Sequence, residues 1–136
     1  MNIPDRLQTW CDLIITHAGK NDIDPYLVAA VMFQESGGHP EVISVNGAVG
    51  LMQIMPSDGI AANFICVNGP CFANRPSIDE LLDPSFNVDY GVRMLANLIN
   101  KHGSEREALV AYGPMNVGYD YADKVLKIRE NLLSDT

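Results

Sequence analysis

Pro25-Tyr26-Leu27-Val28-Ala29-Ala30-Val31-Met32-Phe33-Gln34-Glu35-Ser36-Gly37-Gly38 is the stretch that decides the fold. Asp24 before it reads as an N-cap, with Pro25 at the first helical position, where a missing N–H does no harm. Residues 26–33 are eight consecutive apolar side chains. A helix apolar on every side has no face for water and belongs in the middle of a domain. The paired glycines stop it. Glu35 is then an anomaly, a carboxyl near the end of a helix that should be buried. It falls on the stripe Val28, Val31, Met32, Glu35 at helical spacing. Burial disfavours a charged carboxylate, and the partial negative charge of a helix C-terminus pushes the same way. Both effects keep a proton on near neutral pH, which is what a general acid requires. The plain alternative is a Glu that pairs with a base.

Outward from this helix the chain stays helical, with no internal repeat. Leu7, Trp10, Cys11, Ile14, Ile15 and Ala18 recur at helical spacing. They predict one helix over residues 4–18, ended by Gly19. Cys11 on that pattern reads as a small core residue. Residues 42–56 are loop-like, rich in Gly and Val, with at most a short β-hairpin. Ser77-Ile78-Asp79-Glu80 has the form of a capping box. Asp83-Pro84 starts a longer helix that Gly103 ends. Ser104-Glu105-Arg106-Glu107 is a second box pattern, opening a helix through Tyr112 that Gly113-Pro114 break. A last helix is predicted over residues 119–133. No Pro- or Ser-rich linker divides the chain, so residues 1–136 read as a single, mainly α domain around a buried central helix.

The totals exclude several classes of function. A chain of 136 residues can bury about two thirds of the surface its unfolded form exposes, so it needs no metal to fold. No apolar run approaches the ~20 residues of a membrane helix. The formal net charge is −8, with nine scattered basic residues, which argues against nucleic acid as a partner. It also counts mildly against anionic surfaces, although salt screens such fields. His17, His39 and His102 fall in separate segments without metal-ligand spacing, so no metal or cofactor is expected. Cys66 and Cys71, in a loop, allow a small disulfide ring or two free thiols. No signal-peptide pattern opens the chain: Asp5 and Arg6 precede only a short apolar stretch, residues 13–15.

Glu35-Ser36 followed by Gly47-Ala48-Val49-Gly50-Leu51-Met52-Gln53-Ile54-Met55-Pro56 resembles the signature of soluble-type lytic transglycosylases. Leu82-Asp83-Pro84, Asn87-Val88, Gly91, Ala108-Leu109-Val110-Ala111-Tyr112 and Tyr121 to Leu126 resemble later parts of that family. The resemblance spans about residues 20–128. It implies a lysozyme-like fold and action on peptidoglycan in the bacterial envelope, by a monomer. The implied reaction breaks the β-1,4 bond between N-acetylmuramic acid and N-acetylglucosamine without water, leaving a 1,6-anhydro end. Glu35 matches the single acid and base. Ser44, Gln53 and Met55 match residues lining sugar subsites. Tyr112 matches a tyrosine whose hydroxyl sits near the acid, and Tyr121 is a weaker match to the same wall. Met52 and Ile54 read as core.

One sequence feature fits this scheme: residues 42–57 contain no Asp or Glu. An ordinary glycosidase sets two carboxylates across the scissile bond. Asp58, Asp120 and Asp123 remain as partners, though each reads more simply as a cap or solvated charge. Two readings compete: a goose-type lysozyme that uses water, and a sugar-binding module without chemistry. Two features depart from the family pattern. Gly113 stands where the family usually has Asn, and the loop from Cys66 to Pro76 looks particular to this chain. The missing signal peptide points to a phage-borne protein or a fragment.

Overall fold

The computed structural model describes residues 1–134; residues 135 and 136, the end of the expected domain, lie outside the described residues. Among the described residues there are seven helices, one of them enclosed by its neighbours. They are α1 (Asp5–Gln8), α2 (Cys11–Asn21), α3 (Pro25–Ser36), α4 (Ile78–Leu81), α5 (Pro84–His102), α6 (Glu105–Tyr112) and α7 (Asp120–Ser134). A 3-10 turn, Gly59–Asn63, precedes an antiparallel ribbon of β1 (Ile65–Cys66) and β2 (Gly69–Pro70).

Helix α3 is the buried helix. Leu27, Val28, Ala29, Ala30, Val31 and Met32 are all fully buried. The Asp24 carboxylate accepts from the Tyr26 N–H and caps its start. Gly37 caps its end in the left-handed conformation, its N–H donating to Met32 and Phe33 carbonyls. Helices α7 and α2 cover α3, while α5 packs on α2 and α6, and α6 packs on α7. Helix α1 lies over the end of α3, where Trp10 Nε1 donates to the Gly38 carbonyl at 2.8 Å.

The structure departs from the sequence reading in four places. The first helix is two, α1 and α2, broken at Thr9 and Trp10. Gly19 lies inside α2, which runs on to Asn21 and ends at Asp22 in the left-handed conformation. Asp can adopt that conformation with local hydrogen bonding, so the glycine was not the only available stop. The β-hairpin sits in the cysteine loop; residues 42–56 hold only isolated bridges, Ile43 to Val49 and Val49 to Ile54. Of the two capping boxes, only Ser77–Glu80 is reciprocal. At the other, Ser104 Oγ accepts from the Glu107 N–H, but the Glu107 carboxylate accepts from the Tyr119 hydroxyl instead. Cys11 is half-buried at the core margin with a free thiol.

A single buried amide ties α5 to the loop after Gly47. Asn87 is fully buried. Its Oδ1 accepts from the Met52 N–H at 2.8 Å, and its Nδ2 donates to the Val49 and Leu81 carbonyls at 2.9 Å. Gly50, at φ +78°, is packed so closely that a Cβ there would collide with this amide. Leu51, Met52 and Ile54 then enter the core, fully buried. An Asn87→Ala variant strands three buried backbone groups and should lose about 3 kcal/mol, since each unsatisfied group costs roughly 1–3 kcal/mol. Urea unfolding of the variant and parent measures this directly. A loss under about 1 kcal/mol would show that the loop finds its partners elsewhere.

Candidate active site

Glu35 is the penultimate residue of α3 and lines a cleft of about 780 Å³. Ser44, Gln53 and Met55 line the same cleft from the loop, and Tyr112 from the end of α6. Among the described residues that line it, Glu35 is the only acid and Arg75 the only cation. The remaining walls are mostly apolar: Phe64 and Phe72 from the cysteine loop, Met94 and Leu98 from α5.

The Glu35 carboxyl is pushed up from 4.5 to about 7. Burial is the main cause, because the end of α3 leaves little water to solvate an anion. The Tyr121 hydroxyl opposes it by donating to Oε2 at 3.0 Å, which favours the ionised form. Burial and Glu35 in turn hold the Tyr121 phenol far up, so it stays a donor. Tyr121 itself is buried at the start of α7. Its ring lies against Gly113 so closely that any Cβ there would collide with it. The glycine that departs from the family pattern therefore makes room for the tyrosine that touches the acid.

Both tyrosines stand near the acid, in different roles. The Tyr112 hydroxyl donates to the Met52 carbonyl at 2.6 Å. Tyr121, the weaker match, makes the contact with Glu35. Tyr112 stays within the electrostatic reach of Glu35, which with burial raises its phenol well above the usual range. Ser44 and Gln53 brace the loop. Ser44 Oγ accepts from the Ala48 N–H at 3.1 Å. Gln53 Nε2 donates to the Val42 and Gly50 carbonyls, both at 3.1 Å. Gln53 holds φ at +52°, a strained setting for a non-glycine and of a kind found at ligand sites.

The other acids lie away from Glu35's cleft. Asp58 accepts from the Ile78 N–H, Asp123 pairs with Arg106 at 2.8 Å, and Asp120 is exposed at the start of α7. Cys66 and Cys71 are joined in a disulfide, which closes the loop carrying Phe64, Phe72 and Arg75 into the cleft. Sequence reading passed over those three residues. Their one visible signal was two aromatics flanking the cysteine pair. Among the described residues no cluster of His, Cys, Asp or Glu could hold a metal, and no helix is long and apolar enough to cross a membrane.

The fold is helical, with one raised carboxyl lining an open cleft. The family described as "Transglycosylase SLT domain" matches residues 12–131, and the chain belongs to it. It is 39% identical over 100 residues to a membrane-bound lytic murein transglycosylase E of Buchnera aphidicola, covering 74% of this chain and 44% of that protein. It is 31% identical over 103 residues to the transglycosylase of Enterobacteria phage PRD1, covering 76% of this chain and 34% of that one. Among solved structures it resembles the 70 kDa soluble lytic transglycosylase of Escherichia coli, with a TM-score of 0.59 and 28% identity. That match covers 89% of this chain and 19% of the other. The fold is lysozyme-like and mainly helical. The chain spans less than half the length of these relatives.

The raised Glu35 carboxyl makes stability depend on pH. Its folded value, about 7, lies above the 4.5 of an unconstrained carboxyl. The native state therefore holds the proton more tightly, and stability falls as pH rises from about 4.5 to about 7. A difference of about 2.5 units corresponds to about 3 kcal/mol, an upper figure for a partly solvated group. Glu35→Gln removes this titration. The variant should match the parent in thermal unfolding near pH 4 and exceed it progressively to pH 8. A gap independent of pH would mean that Glu35 ionises freely in the folded protein.

Proposed function

We propose that this domain is a peptidoglycan lytic transglycosylase acting at the bacterial envelope, with Glu35 as its single acid and base. The bond cleaved is the β-1,4 link between N-acetylmuramic acid and N-acetylglucosamine. The observation that carries the reading is one proton-holding carboxyl in a cleft with no second acid. Family membership supports it, as do relatives named lytic murein transglycosylases. A hydrolase of the usual kind needs a second carboxylate to act as nucleophile or to activate water. This cleft offers none among the described residues.

The chemistry runs as follows in this reading. Protonated Glu35 gives its proton to the glycosidic oxygen as the C1–O4 bond breaks. The substrate's own N-acetyl group stabilises the positive charge at C1. Ionised Glu35 then takes the proton of the C6 hydroxyl as O6 bonds to C1. The proton count returns to its start, and no water is consumed. The Tyr121 hydroxyl steadies the carboxylate midway, when it bears charge. A group with its pKa near the working pH suits both halves of the cycle. Ser44, Gln53, Met55 and Tyr112 hold the sugars. The cleft is formed within one copy, so the reading asks for no second chain.

Products decide between this chemistry and hydrolysis. Muropeptides released from sacculi should carry 1,6-anhydromuramic ends, about 18 Da lighter than hydrolysed ends by loss of one water. Only reducing ends would move the assignment to a lysozyme. Because the acid must start protonated, kcat/KM should be level below pH ~7 and fall about tenfold per unit above it. Glu35→Gln should stay folded and lose at least ~10²–10⁴-fold in sacculus clearing. A folded variant within about tenfold of the parent would place the acid elsewhere.

A further inference from the structure

Arg75 is the one cation among the described residues that line the cleft, and it forms no ion pair with an acid among them. Arg93 pairs with Asp89, Arg106 with Asp123, and Arg129 with both Asp24 and Glu105. Arg75 instead donates through Nη1 to the Met55 carbonyl at 3.3 Å, and its guanidinium lies 5.2 Å from the centre of the Phe72 ring. A guanidinium has five N–H donors in a planar fork that fits a carboxylate in two-point contact. One donor is spent on Met55.

The side chain is half-buried and its backbone is fixed. The Arg75 N–H donates to the Phe72 carbonyl at 3.0 Å, and the Ser57 N–H donates to the Pro76 carbonyl at 2.9 Å. The disulfide and the Cys71 N–H to Phe64 carbonyl bond, 2.8 Å, close the loop just before it. This is a preset cation facing the space where a glycan would lie. Its field reaches Tyr112 on the opposite wall, beside Glu35. Glu35 is the only acid among the described residues lining the cleft, and its hydrogen-bond partner is Tyr121, not Arg75.

Glycan chemistry supplies the complement. An N-acetylglucosamine chain is neutral. A muramic acid residue adds a lactyl ether that ends in a carboxylate when the strand is bare, or in a peptide bearing carboxylates when it is substituted. We propose that Arg75 is a specificity-determining residue that binds a substrate carboxylate on the muramic acid side, so that the cleft selects muramic-acid strands over neutral amino-sugar chains. The proposal rests on the reading of the cleft as a glycan site.

The test uses the Glu35→Gln protein, expected to hold glycans without cutting them, and three soluble probes. One is a tetrasaccharide with its stem peptides, one the same tetrasaccharide stripped by an amidase to free lactyl carboxylates, and one the neutral N-acetylglucosamine hexamer. Adding Arg75→Gln should weaken binding of at least one carboxylate probe by about tenfold and remove most of its salt dependence. The neutral hexamer should change by less than about twofold. Arg75→Lys, which keeps charge without the fork, should restore part of the affinity and the salt dependence. Response of the stripped probe identifies the lactyl group; response confined to the peptide-bearing probe identifies the peptide. Equal weakening of all three probes, or of none, overturns the proposal. If the Glu35→Gln protein binds no probe while the parent releases nothing from sacculi, the glycan reading itself fails.

Discussion

A helix with no wet side must be enclosed from every direction, and that requirement shapes the rest of this protein. Helix α3 presents fully buried side chains from Leu27 to Met32. Helices α2 and α7 supply the walls, α1 packs on α3, and Trp10, between α1 and α2, donates to the Gly38 carbonyl just past the C-terminal end of α3. Enclosure has a consequence at the last turn. Glu35 inherits the desolvation of the helix that carries it, and its carboxyl rises to about 7 as a result. The acid is thus a by-product of the core, placed where the core opens to the cleft.

The loop that lines the cleft with the acid is held by backbone hydrogen bonds and a few polar side chains, with Val49, Leu51, Met52 and Ile54 turned inward. Asn87 fixes Val49 and Met52 from α5, and the Tyr112 hydroxyl fixes the Met52 carbonyl from α6. Two helices therefore grip one short segment through its main chain. Leu51, Met52 and Ile54 anchor it in the core, which leaves Gln53 and Met55 to face outward. Alternation of buried and cleft-facing residues here comes from the turn at Gln53, whose left-handed φ reverses the chain. A site built this way is as rigid as the helices behind it.

Much of this was legible in the residues. The apolar run at 26–33, its Asp24-Pro25 start and its Gly37 stop define α3 without reference to any partner. The capping signals at Ser77 and Asp83 and the stops at Gly103 and Gly113 likewise act within a few residues of themselves. The failures share another cause. Whether Gly19 or Asp22 ends α2, and whether Ser104 is capped reciprocally, depends on what else is in reach: Glu107 is drawn off by Tyr119, a residue twelve positions away. The Gly-rich segment 42–56 predicts a hairpin, but its backbone bonds close turns, Gly47 to Ser44 and Gln53 to Gly50, and leave only isolated bridges. The cysteine ribbon forms where a disulfide closes the chain.

The site follows the same division. Glu35 was visible because one helix alone makes it anomalous. The contact between Tyr121 and Glu35 was not, because it depends on Gly113. With a side chain at 113, the Tyr121 ring could not occupy its present place. Its hydroxyl would then lose the position from which it donates to Glu35, and the acid would keep only the terms that raise it. The carboxyl's balance between holding and releasing a proton is therefore set by three elements that meet only in the folded chain: the end of α3, the break after α6 and the first turn of α7. An acid that must serve as base in the same cycle needs both influences. Burial alone would hold the proton too firmly to return it as carboxylate, and solvation alone would leave no proton to give.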